Sequence, residues 1–351
     1  MAARHSVPHA HARHAERFTP RSQSIDSTFA VLSMLYIQSR DSRPDTYAIP
    51  SKPKVMEHKH KSGFVNIVGN PNVGKSTLMN DLVGERISII TSKAQTTRHR
   101  IMGIVNAPEY QIVFSDTPGV LKPKYKLQES MLELSEGALT DADILLYVTD
   151  VIEDPTKNAD FVARVAAEDT PVLLVINKID LLQSQDRLNE IYDRWHRTLP
   201  KAEIFPTSAK EHFNVTNLMK RIVELLPEGE PYFGKDALTD KPARFFVTEI
   251  IREKILLDYD KEIPYSAEVI VEKFDEKGTS IHIMAVVYVE RDSQKGIIIG
   301  RGGAMLKKVG TQARKDIEAF FGKRVFLEIF VKVEPNWRNR ENKLRQFGYI
   351  E

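Results

Sequence analysis

Short apolar runs alternate with stretches of helical apolar spacing through the first two thirds of the chain. Three of these runs, at residues 64–68, 110–114 and 172–176, have strand character and end in polar or glycine-rich turns. Residues 77–83, just after the first turn, carry apolar side chains at helical spacing. Alternation of this kind, up to about Leu226, predicts an α/β domain with a mostly parallel sheet and helices on both faces.

The last third of the chain has a different order of elements. Residues 242–252 have the pattern of an amphipathic helix, and two strand-like runs follow at 267–274 and 280–290. A glycine-rich loop with flanking helices comes next, and residues 325–331 form a last strand-like run. Helix-strand-strand-helix-helix-strand is the order of a type II KH domain, an α+β fold that binds RNA.

A short Pro- and Gly-rich stretch, residues 227–234, separates the two patterns and predicts a linker. In the tail we expect Trp337 to pack against the domain rather than to stack on RNA. The predicted division is an extension at 1–55, a first domain at 56–226, a linker at 227–237, a second domain at 238–335 and a tail at 336–351.

The turn after the first strand contains the phosphate-binding pattern G-x-x-x-x-G-K-[ST]. A strand before this pattern and a helix after it are the context that it requires. Backbone N–H groups then surround a polyphosphate at the positive end of a helix, Lys75 reaches the outer phosphates and the Ser76 hydroxyl binds Mg²⁺. The predicted nucleotide contacts here are Gly69, Asn70, Pro71, Asn72, Val73, Gly74, Lys75, Ser76 and Thr77.

The pattern N-K-x-D at 177–180, directly after the strand at 172–176, indicates which base is bound. The carboxylate of Asp180 can accept from the N1–H and the exocyclic amine of guanine, whereas adenine offers no such pair of donors. Because a missing partner in a buried site is costly, Asp180 is expected to select GTP over ATP. Asn177 would brace the loops and the Lys178 stem would cover the ring. The backbone of a later loop is expected to contact guanine O6, and its residues are Thr207, Ser208, Ala209 and Lys210.

A D-x-x-G pattern follows the strand at 110–114. Asp116 is expected to hold Mg²⁺ through water, and the Gly119 N–H to sense the γ-phosphate. A polar stretch before it, residues 94–99, which we call the switch segment, is expected to close over the nucleotide. Thr97 is its preferred Mg²⁺ ligand and Thr96 the other candidate, so the predicted metal set is Ser76, Thr97 and Asp116. The predicted nucleotide contacts of the D-x-x-G region are Asp116, Thr117, Pro118, Gly119 and Val120.

Composition narrows the choice of function. The 351 residues include 42% hydrophobic residues, enough for two cores, and the absence of cysteine excludes disulfides, thiolate metal sites and cysteine nucleophiles. No run of 18 apolar residues occurs, so no membrane-spanning segment is predicted. The net charge is +2, yet residues 295–345 hold thirteen Lys or Arg against five Asp or Glu. Such a local excess attracts phosphates, with an affinity that falls as salt rises.

The basic region contains a G-x-x-G loop followed by a helix. In a KH domain this loop lets a nucleic-acid backbone approach closely while the bases lie over an adjacent apolar groove. The predicted RNA contacts are Gly300, Arg301, Gly302, Gly303, Lys307 and Lys308.

Together these motifs resemble the Era family, the bacterial ribosome-assembly GTPases of the translation-factor class. The resemblance rests on G-N-P-N-V-G-K-S at 69–76, Q-T-T-R-H-R at 95–100, D-T-P-G-V at 116–120 and the tail, and it covers nearly all of 56–351. It implies a pyrimidine-rich target near the 3′ end of 16S rRNA during 30S maturation and a cytoplasmic protein. We expect a monomer. Family members also associate peripherally with the inner membrane, although this sequence offers no lipid anchor.

The residue after D-x-x-G is Val120, where many GTPases have a Gln that orients the attacking water. Catalysis is therefore expected to rely on Lys75, Thr97 in the closed switch segment, and Mg²⁺, with a slow intrinsic rate. Members of the family with Asn at the position of Asn72 include proteins that bind K⁺ near the β/γ-phosphate bridge, which implies faster hydrolysis in K⁺ than in Na⁺. Arg98 and Arg100 are alternatives in cis, although a structural role on the switch segment is preferred.

Two other functions stay open. A tRNA-modification-type GTPase is disfavoured by the missing cysteine and by the KH-like loop. A membrane- or division-linked regulatory GTPase would use its second domain to bind protein alone.

Residues 1–55, rich in His, Arg and Ser, have three interpretations: a disordered extension, an organelle transit peptide, or residues translated upstream of the real start. The last is preferred because residues 56–64 resemble the usual beginning of bacterial Era proteins.

Overall fold

The computed structural model describes residues 59–154 and 156–350. The predicted extension at 1–55 lies outside these residues. The strands of the first sheet are β1 (Lys61–Val68), β2 (Ile101–Asn106), β3 (Tyr110–Asp116), β4 (Ile144–Asp150), β5 (Val172–Asn177) and β6 (Glu203–Pro206). The helices between them are α1 (Lys75–Val83), α2 (Lys126–Thr140), α3 (Ala159–Ala167), α4 (Gln185–Thr198) and α5 (Val215–Leu225).

The first sheet has the strand order β2-β3-β1-β4-β5-β6. Its neighbouring strands are parallel, except that β2 is antiparallel to β3. Along β4, Leu146 and Val148 face one apolar core, and Leu145 and Tyr147 face the other. Burial on both faces explains why the central strands appear in the sequence as continuous apolar runs. The predicted α/β fold is confirmed.

The carboxyl ends of the parallel strands meet at one edge of this sheet. The loop after β1 carries the phosphate-binding pattern, and β3, β4 and β5 end at Asp116, Asp150 and Asn177. Ligands of open α/β sheets bind at this edge, because the loops that leave the strands converge there. The topology therefore brings together motifs that lie about 100 residues apart in the sequence.

The second domain consists of the helices α6 (Ala243–Asp258), α7 (Ile263–Ser266), α8 (Asp292–Ile299) and α9 (Ala304–Phe321) and the strands β7 (Glu268–Lys277), β8 (Ser280–Val289) and β9 (Arg324–Val333). The strand β7 is antiparallel to β8, and β9 is parallel to β8. Apolar faces of α6 and α9 cover one face of this sheet, as Ile251 and Ile317 illustrate. The predicted order of elements is confirmed, and α7 is a short addition that the pattern did not indicate.

The segment between the domains lies against the first sheet. Glu228 and Thr239 form isolated bridges with Lys61 and Gly103. The side chain of Gln111 accepts the N–H groups of residues 232 and 233 at 2.7 and 3.0 Å. These bonds fix the path of the chain from the first domain to the second.

The tail packs between the two domains and ends in α10 (Glu341–Gln346). Trp337 is fully buried, and its indole N–H donates to the carbonyl of Ser266 at 2.9 Å. The same cluster contains Leu127 and Met131 of α2 and Phe347 of the tail. The expected packing role of Trp337 is confirmed, and the indole contacts both domains. Among the described residues, no helix has the length and apolarity that crossing a membrane requires.

Candidate functional site

The phosphate-binding loop joins β1 to α1 and wraps around the ammonium of Lys75. Gly74 has φ +99°, and a Cβ there would lie 2.2 Å from the Asn177 amide nitrogen, so a side chain cannot be placed at this position. The Lys75 ammonium donates to the carbonyls of Gly69 at 3.0 Å and Asn70 at 2.9 Å. Burial lowers the pKa of Lys75 to about 8. Attraction from Asp116 and Glu153 offsets only part of this effect, and a polyphosphate would supply further counter-charge to the buried ammonium.

The three predicted Mg²⁺ ligands meet beside this loop. The Ser76 hydroxyl lies 2.9 Å from Oγ1 of Thr97 and donates to Oδ2 of Asp116 at 2.7 Å. Thr97 also donates to this Asp116 oxygen at 3.2 Å. By contrast, the Thr96 hydroxyl bonds to Thr91 and to the Lys93 carbonyl, so the alternative candidate points elsewhere.

The donor set fits a divalent cation with oxygen ligands. Asp116 is buried, and its Oδ1 atom has no hydrogen-bond partner among the described residues. Burial raises the pKa of this carboxyl. An orphaned carboxylate oxygen beside two hydroxyl groups is the chemistry that Mg²⁺ prefers, and Mg²⁺ would favour the ionised carboxylate.

A cavity of about 430 Å³ opens beside the phosphate loop and is lined by two of the predicted metal ligands, Ser76 and Thr97. Ligand sites in proteins have volumes of this order. The switch segment contributes one wall of the cavity through Gln95, Thr96 and Thr97. Gly119 lies against the phosphate loop, since a Cβ on it would approach the backbone of Pro71 to 2.7 Å. The cavity therefore borders every motif expected to contact the phosphates.

Further residues of the D-x-x-G region have structural roles. The Thr117 hydroxyl donates to the carbonyl of Ile67 at 2.7 Å, and the carbonyl of Pro118 accepts from Ser135 at 2.8 Å. The side chain of Val120 is buried in the core, and its N–H bonds to the carbonyl of Gly69. Val120 thus ties this region to the phosphate loop and offers no polar group for water.

The expected bracing role of Asn177 is borne out. Its amide donates to the carbonyl of Val73 at 2.9 Å, and its Oδ1 accepts the N–H of Ala209 at 3.0 Å. The phosphate loop and the base loop are therefore joined through one side chain. Asp180 is exposed at the end of this arrangement, and its Oδ1 accepts from Ser208 at 2.6 Å.

Lys178 spans the cavity floor. Its ammonium donates to the carbonyl of Asn72 at 2.5 Å and to Asp150 at 2.7 Å. Asp150 was not predicted as a site residue, although its place at the end of an apolar run was a signal. Lys210 is exposed and pairs with Glu211 at 2.8 Å. Of the predicted base-binding residues, Lys178 lines the cavity, and hydrogen bonds join Asn177 to Ala209 and Asp180 to Ser208.

The two arginines that follow Thr97 in the sequence, Arg98 and Arg100, do not line the cavity. Arg98 is fully buried and donates to Glu268 of the second domain at 2.9 Å. Arg100 donates to Ser115 at 2.6 Å and to Asp141. Their preferred structural role is confirmed.

In the second domain the G-x-x-G loop joins α8 to α9. Gly302 has φ +59°, and a Cβ there would meet no atom within 4 Å, so the loop faces open space. An open groove of about 440 Å³ begins at this loop and runs between α9 and β9. Its walls are Gly303, Leu306, Lys307, Gly310, Thr311, Arg314, Leu327 and Ile329.

The predicted RNA contacts divide into two groups. Gly303 and Lys307 line the groove, and Arg301 is exposed on the loop. Lys308 instead pairs with Asp258 at the end of α6, at 2.7 Å, and does not line the groove. Arg314, which the sequence analysis missed, does line it, and helical spacing from Lys307 was the available signal.

Comparisons with known proteins match both the first and the second domain of this chain. A family model described as a 50S ribosome-binding GTPase matches residues 64–178, and a KH-domain model matches 262–338. GTPase Era of Heliobacterium modesticaldum is 45% identical over 296 residues, which cover 84% of this chain and 98% of that protein.

Two solved structures are similar over both domains. One is a variant of Aquifex aeolicus Era bound to GDP and AlF4⁻, and the other is Era in complex with MgGDPNP and nucleotides 1506–1542 of 16S ribosomal RNA. Each has a TM-score of 0.80 and 40% identity, and covers 83% of this chain and 100% of the solved chain. This chain, with both domains in the same order, belongs to the Era family of GTPases.

Proposed function

We propose that this protein is a GTP-controlled switch that binds the 3′ region of 16S rRNA and assists assembly of the 30S subunit. Mg·GTP would order the switch segment, the KH groove would hold the RNA, and hydrolysis would release it. The observation that carries the proposal is the presence in one chain of a phosphate cavity with converging metal ligands and a G-x-x-G groove.

In the proposed nucleotide complex, Lys75 and the loop amides hold the β- and γ-phosphates. Mg²⁺ would be held by Ser76, Thr97 and Asp116, and when bound it supplies neutralisation of the charge that develops on the transferred phosphoryl group. Asp180, held by Ser208, would recognise guanine, with the backbone of residues 208–210 meeting O6. These assignments are supported by Lys75, Ser76 and Thr97 lining one cavity, by the hydrogen bond from Ser76 to Asp116 and by the hydrogen bond from Ser208 to Asp180.

We further propose that K⁺ accelerates hydrolysis. Val120 offers no group to orient water, and Arg98 and Arg100 are engaged elsewhere, so the described residues provide no arginine finger in cis. Asn72 lines the cavity with φ +66° and would face the phosphate bridge. Hydrolysis measured in K⁺ and in Na⁺ tests this idea. Equal rates, or an unchanged K⁺ effect in Asn72→Ala, would contradict it.

For RNA we propose that the backbone crosses the loop at Gly300–Gly303 while the bases lie in the groove, near Lys307 and Arg314. A groove of this kind clamps about four nucleotides. This assignment is supported by the open space above Gly302 and by the Era complex with nucleotides 1506–1542 of 16S rRNA. We expect a cytoplasmic monomer, with any association with the inner membrane peripheral.

The RNA assignment is tested by binding of a short oligonucleotide from the 3′ end of 16S rRNA to Gly302→Asp and Gly302→Asn. Asp and Asn both tolerate positive φ, so the two variants differ mainly in charge. We expect Gly302→Asp to bind at least about 10-fold more weakly than Gly302→Asn at low salt, since a carboxylate would face the phosphates. Equal binding by the two variants would contradict the assignment.

Binding of the protein to isolated 30S and to isolated 50S subunits tests which ribosomal subunit is its partner. Preferential binding to 30S is expected. Binding to 50S alone would favour the activity named by the GTPase-domain model, and binding to neither, with no RNA bound, would favour a second domain that binds protein alone.

A further inference from the structure

The switch segment is held by the second domain on both sides of Thr97. Upstream of Thr97, the guanidinium of Arg252 donates to the carbonyl of Gln95 at 3.3 Å and also to the carbonyl of Thr96. Arg252 lies on α6 and is 1% exposed. Glu249, one turn away on the same helix, accepts from Arg252 at 2.8 and 2.5 Å and so fixes its orientation.

Downstream of Thr97, the next residue is anchored to the same domain. Arg98 donates to the carbonyl of Ala267 and to the carboxylate of Glu268, each at 2.9 Å, and to two carbonyls of α7 at 3.2 and 3.3 Å. The Tyr349 hydroxyl of the tail donates to the same Glu268 oxygen at 2.7 Å. Burial raises the pKa of Glu268 although Arg98 adjoins it.

His99, the residue after Arg98, is also held, in this case mainly by the tail. The ring of His99 stacks on Tyr349 with centroids 4.4 Å apart, and the edge of Phe245 contacts it from α6. Residues 95, 96, 98 and 99 are therefore all in contact with the second domain or the tail, while the Thr97 hydroxyl between them faces Ser76 and Asp116.

This arrangement has a specific energetic meaning. Ordering a polar segment costs conformational entropy, and burying an arginine costs free energy that hydrogen bonds to its N–H groups offset. Glu249 alone would neutralise Arg252, yet two further N–H groups of Arg252 are bonded to switch carbonyls. The bonds of Arg252 and Arg98 thus restrict the backbone on either side of a residue that is proposed to bind the metal.

We propose that Arg252 and Arg98 form a clasp through which the KH domain positions Thr97 for Mg·GTP. The clasp rests on the proposed function and deepens it. The second domain is then a positioning element for hydrolysis, and by thermodynamic reciprocity an occupied metal site favours the arrangement of the domains seen here. The metal site and the arrangement of the domains are therefore coupled to each other through Arg252 and Arg98.

The test uses the full chain with Arg252→Gln, Arg252→Lys and, as a matched control, Arg244→Gln. Arg244 lies on the same helix but is exposed. Three quantities are measured: kcat for GTP, the Mg²⁺ concentration for half-maximal rate, and the Kd for GDP. We expect Arg252→Gln to lower kcat by about 10-fold and to raise the Mg²⁺ requirement several-fold, in the range typical of coupled sites. The Kd for GDP should change less than about 2-fold, because the phosphate loop and base loop are untouched.

Arg252→Lys should recover part of the rate, since an ammonium keeps the charge beside Glu249 but cannot reach both carbonyls. A folded Arg252→Gln with wild-type kcat and wild-type Mg²⁺ dependence would overturn the clasp, as would equal losses in Arg244→Gln. If Arg252→Gln does not fold, Arg252→Lys decides: an unchanged Mg²⁺ requirement refutes the clasp and a raised one supports it.

A second measurement reports on the backbone of the switch segment through its accessibility to protease. Trypsin cleavage after Lys93 and Arg98 is measured with a non-hydrolysable GTP analogue bound. Faster cleavage in Arg252→Gln than in Arg244→Gln is expected, and equal cleavage contradicts the clasp. Failure of the wild type to bind RNA would count against the proposed function alone, because kcat, Mg²⁺ dependence and cleavage are measured without RNA.

Discussion

The hydroxyl of Ser208 donates a 2.6 Å hydrogen bond to Oδ1 of Asp180. Ser208 is buried, so its position is set by the loop around it, and the exposed carboxylate of Asp180 takes its orientation from that bond. The residue proposed to choose the base is thereby oriented before any nucleotide enters.

Asp180→Asn tests the choice of base. An amide cannot accept from both N1–H and the exocyclic amine of guanine, so we expect GDP affinity to fall by about 100-fold or more. Calorimetry or fluorescent-nucleotide displacement measures the change. Asp186→Asn, the same substitution at an exposed position nearby, should bind GDP as the wild type does. Retained GDP affinity in Asp180→Asn would remove Asp180 from the base site.

The two neighbouring threonines of the switch segment give a second matched pair. Thr97→Ala removes a hydroxyl beside Asp116, and we expect hydrolysis to fall roughly 10- to 100-fold with a higher Mg²⁺ requirement. Thr96→Ala removes a hydroxyl that bonds within its own loop, and a much smaller change is expected. Single-turnover rates over a series of Mg²⁺ concentrations separate the two. A larger loss in Thr96→Ala would reverse the assignment.

The lowered pKa of Lys75 predicts that nucleotide binding depends on pH. Burial holds its pKa at about 8 in the free protein, below the usual lysine value of 10.5, and bound phosphates would raise it. Binding then takes up a proton: affinity is full below about pH 8 and falls as the pH rises through 8, by up to about tenfold per pH unit.

Calorimetry of GDP binding in two buffers of different ionisation enthalpy measures the uptake. For a pKa of about 8 we expect about 0.1 proton at pH 7.0 and about 0.8 at pH 8.5. GMP, which has the same base without the outer phosphates, is the control and should take up less. An uptake independent of pH, or equal for GMP and GDP, would show that Lys75 is not the responsible group.

Arg314 and Lys308 lie on the same helix but on different sides of it. Arg314→Ala should weaken RNA binding and reduce the salt dependence, by about 0.7 in the slope of log K against log salt for one lost phosphate contact. Lys308→Ala should leave the slope nearly unchanged, because this ammonium pairs with Asp258. Filter binding at several KCl concentrations gives both slopes. If Lys308→Ala alone lowered the slope, the RNA path would lie on the opposite side of the helix from the groove.

Local patterns were sufficient for most of the fold and for the cavity. Each predicted nucleotide-binding motif follows an apolar strand. Because the carboxyl ends of parallel strands meet at one edge of a sheet, these motifs are expected to lie close together. The preference for Thr97 over Thr96 also came from the motif, and the Thr97 hydroxyl lies beside that of Ser76, another predicted metal ligand.

Contacts between distant segments could not be predicted in this way. Arg252 and Gln95 are separated by 157 residues in the sequence. The pattern of apolar residues along each segment does not indicate that a helix of one domain faces a loop of the other. The different placement of Lys307 and Lys308 could not be predicted for a similar reason. A count of charges locates a basic region, but the phase of the helix places Lys307 in the groove and Lys308 beside Asp258.

The most direct test of the account is binding of the 3′-terminal 16S rRNA oligonucleotide to the protein loaded with a non-hydrolysable GTP analogue or with GDP, both with Mg²⁺. For a GTP-controlled switch we expect tight binding in the GTP-analogue state, at least about 10-fold weaker binding with GDP, and loss of the tight binding in Gly302→Asp. Equal affinity in the two nucleotide states would contradict a GTP-controlled RNA switch.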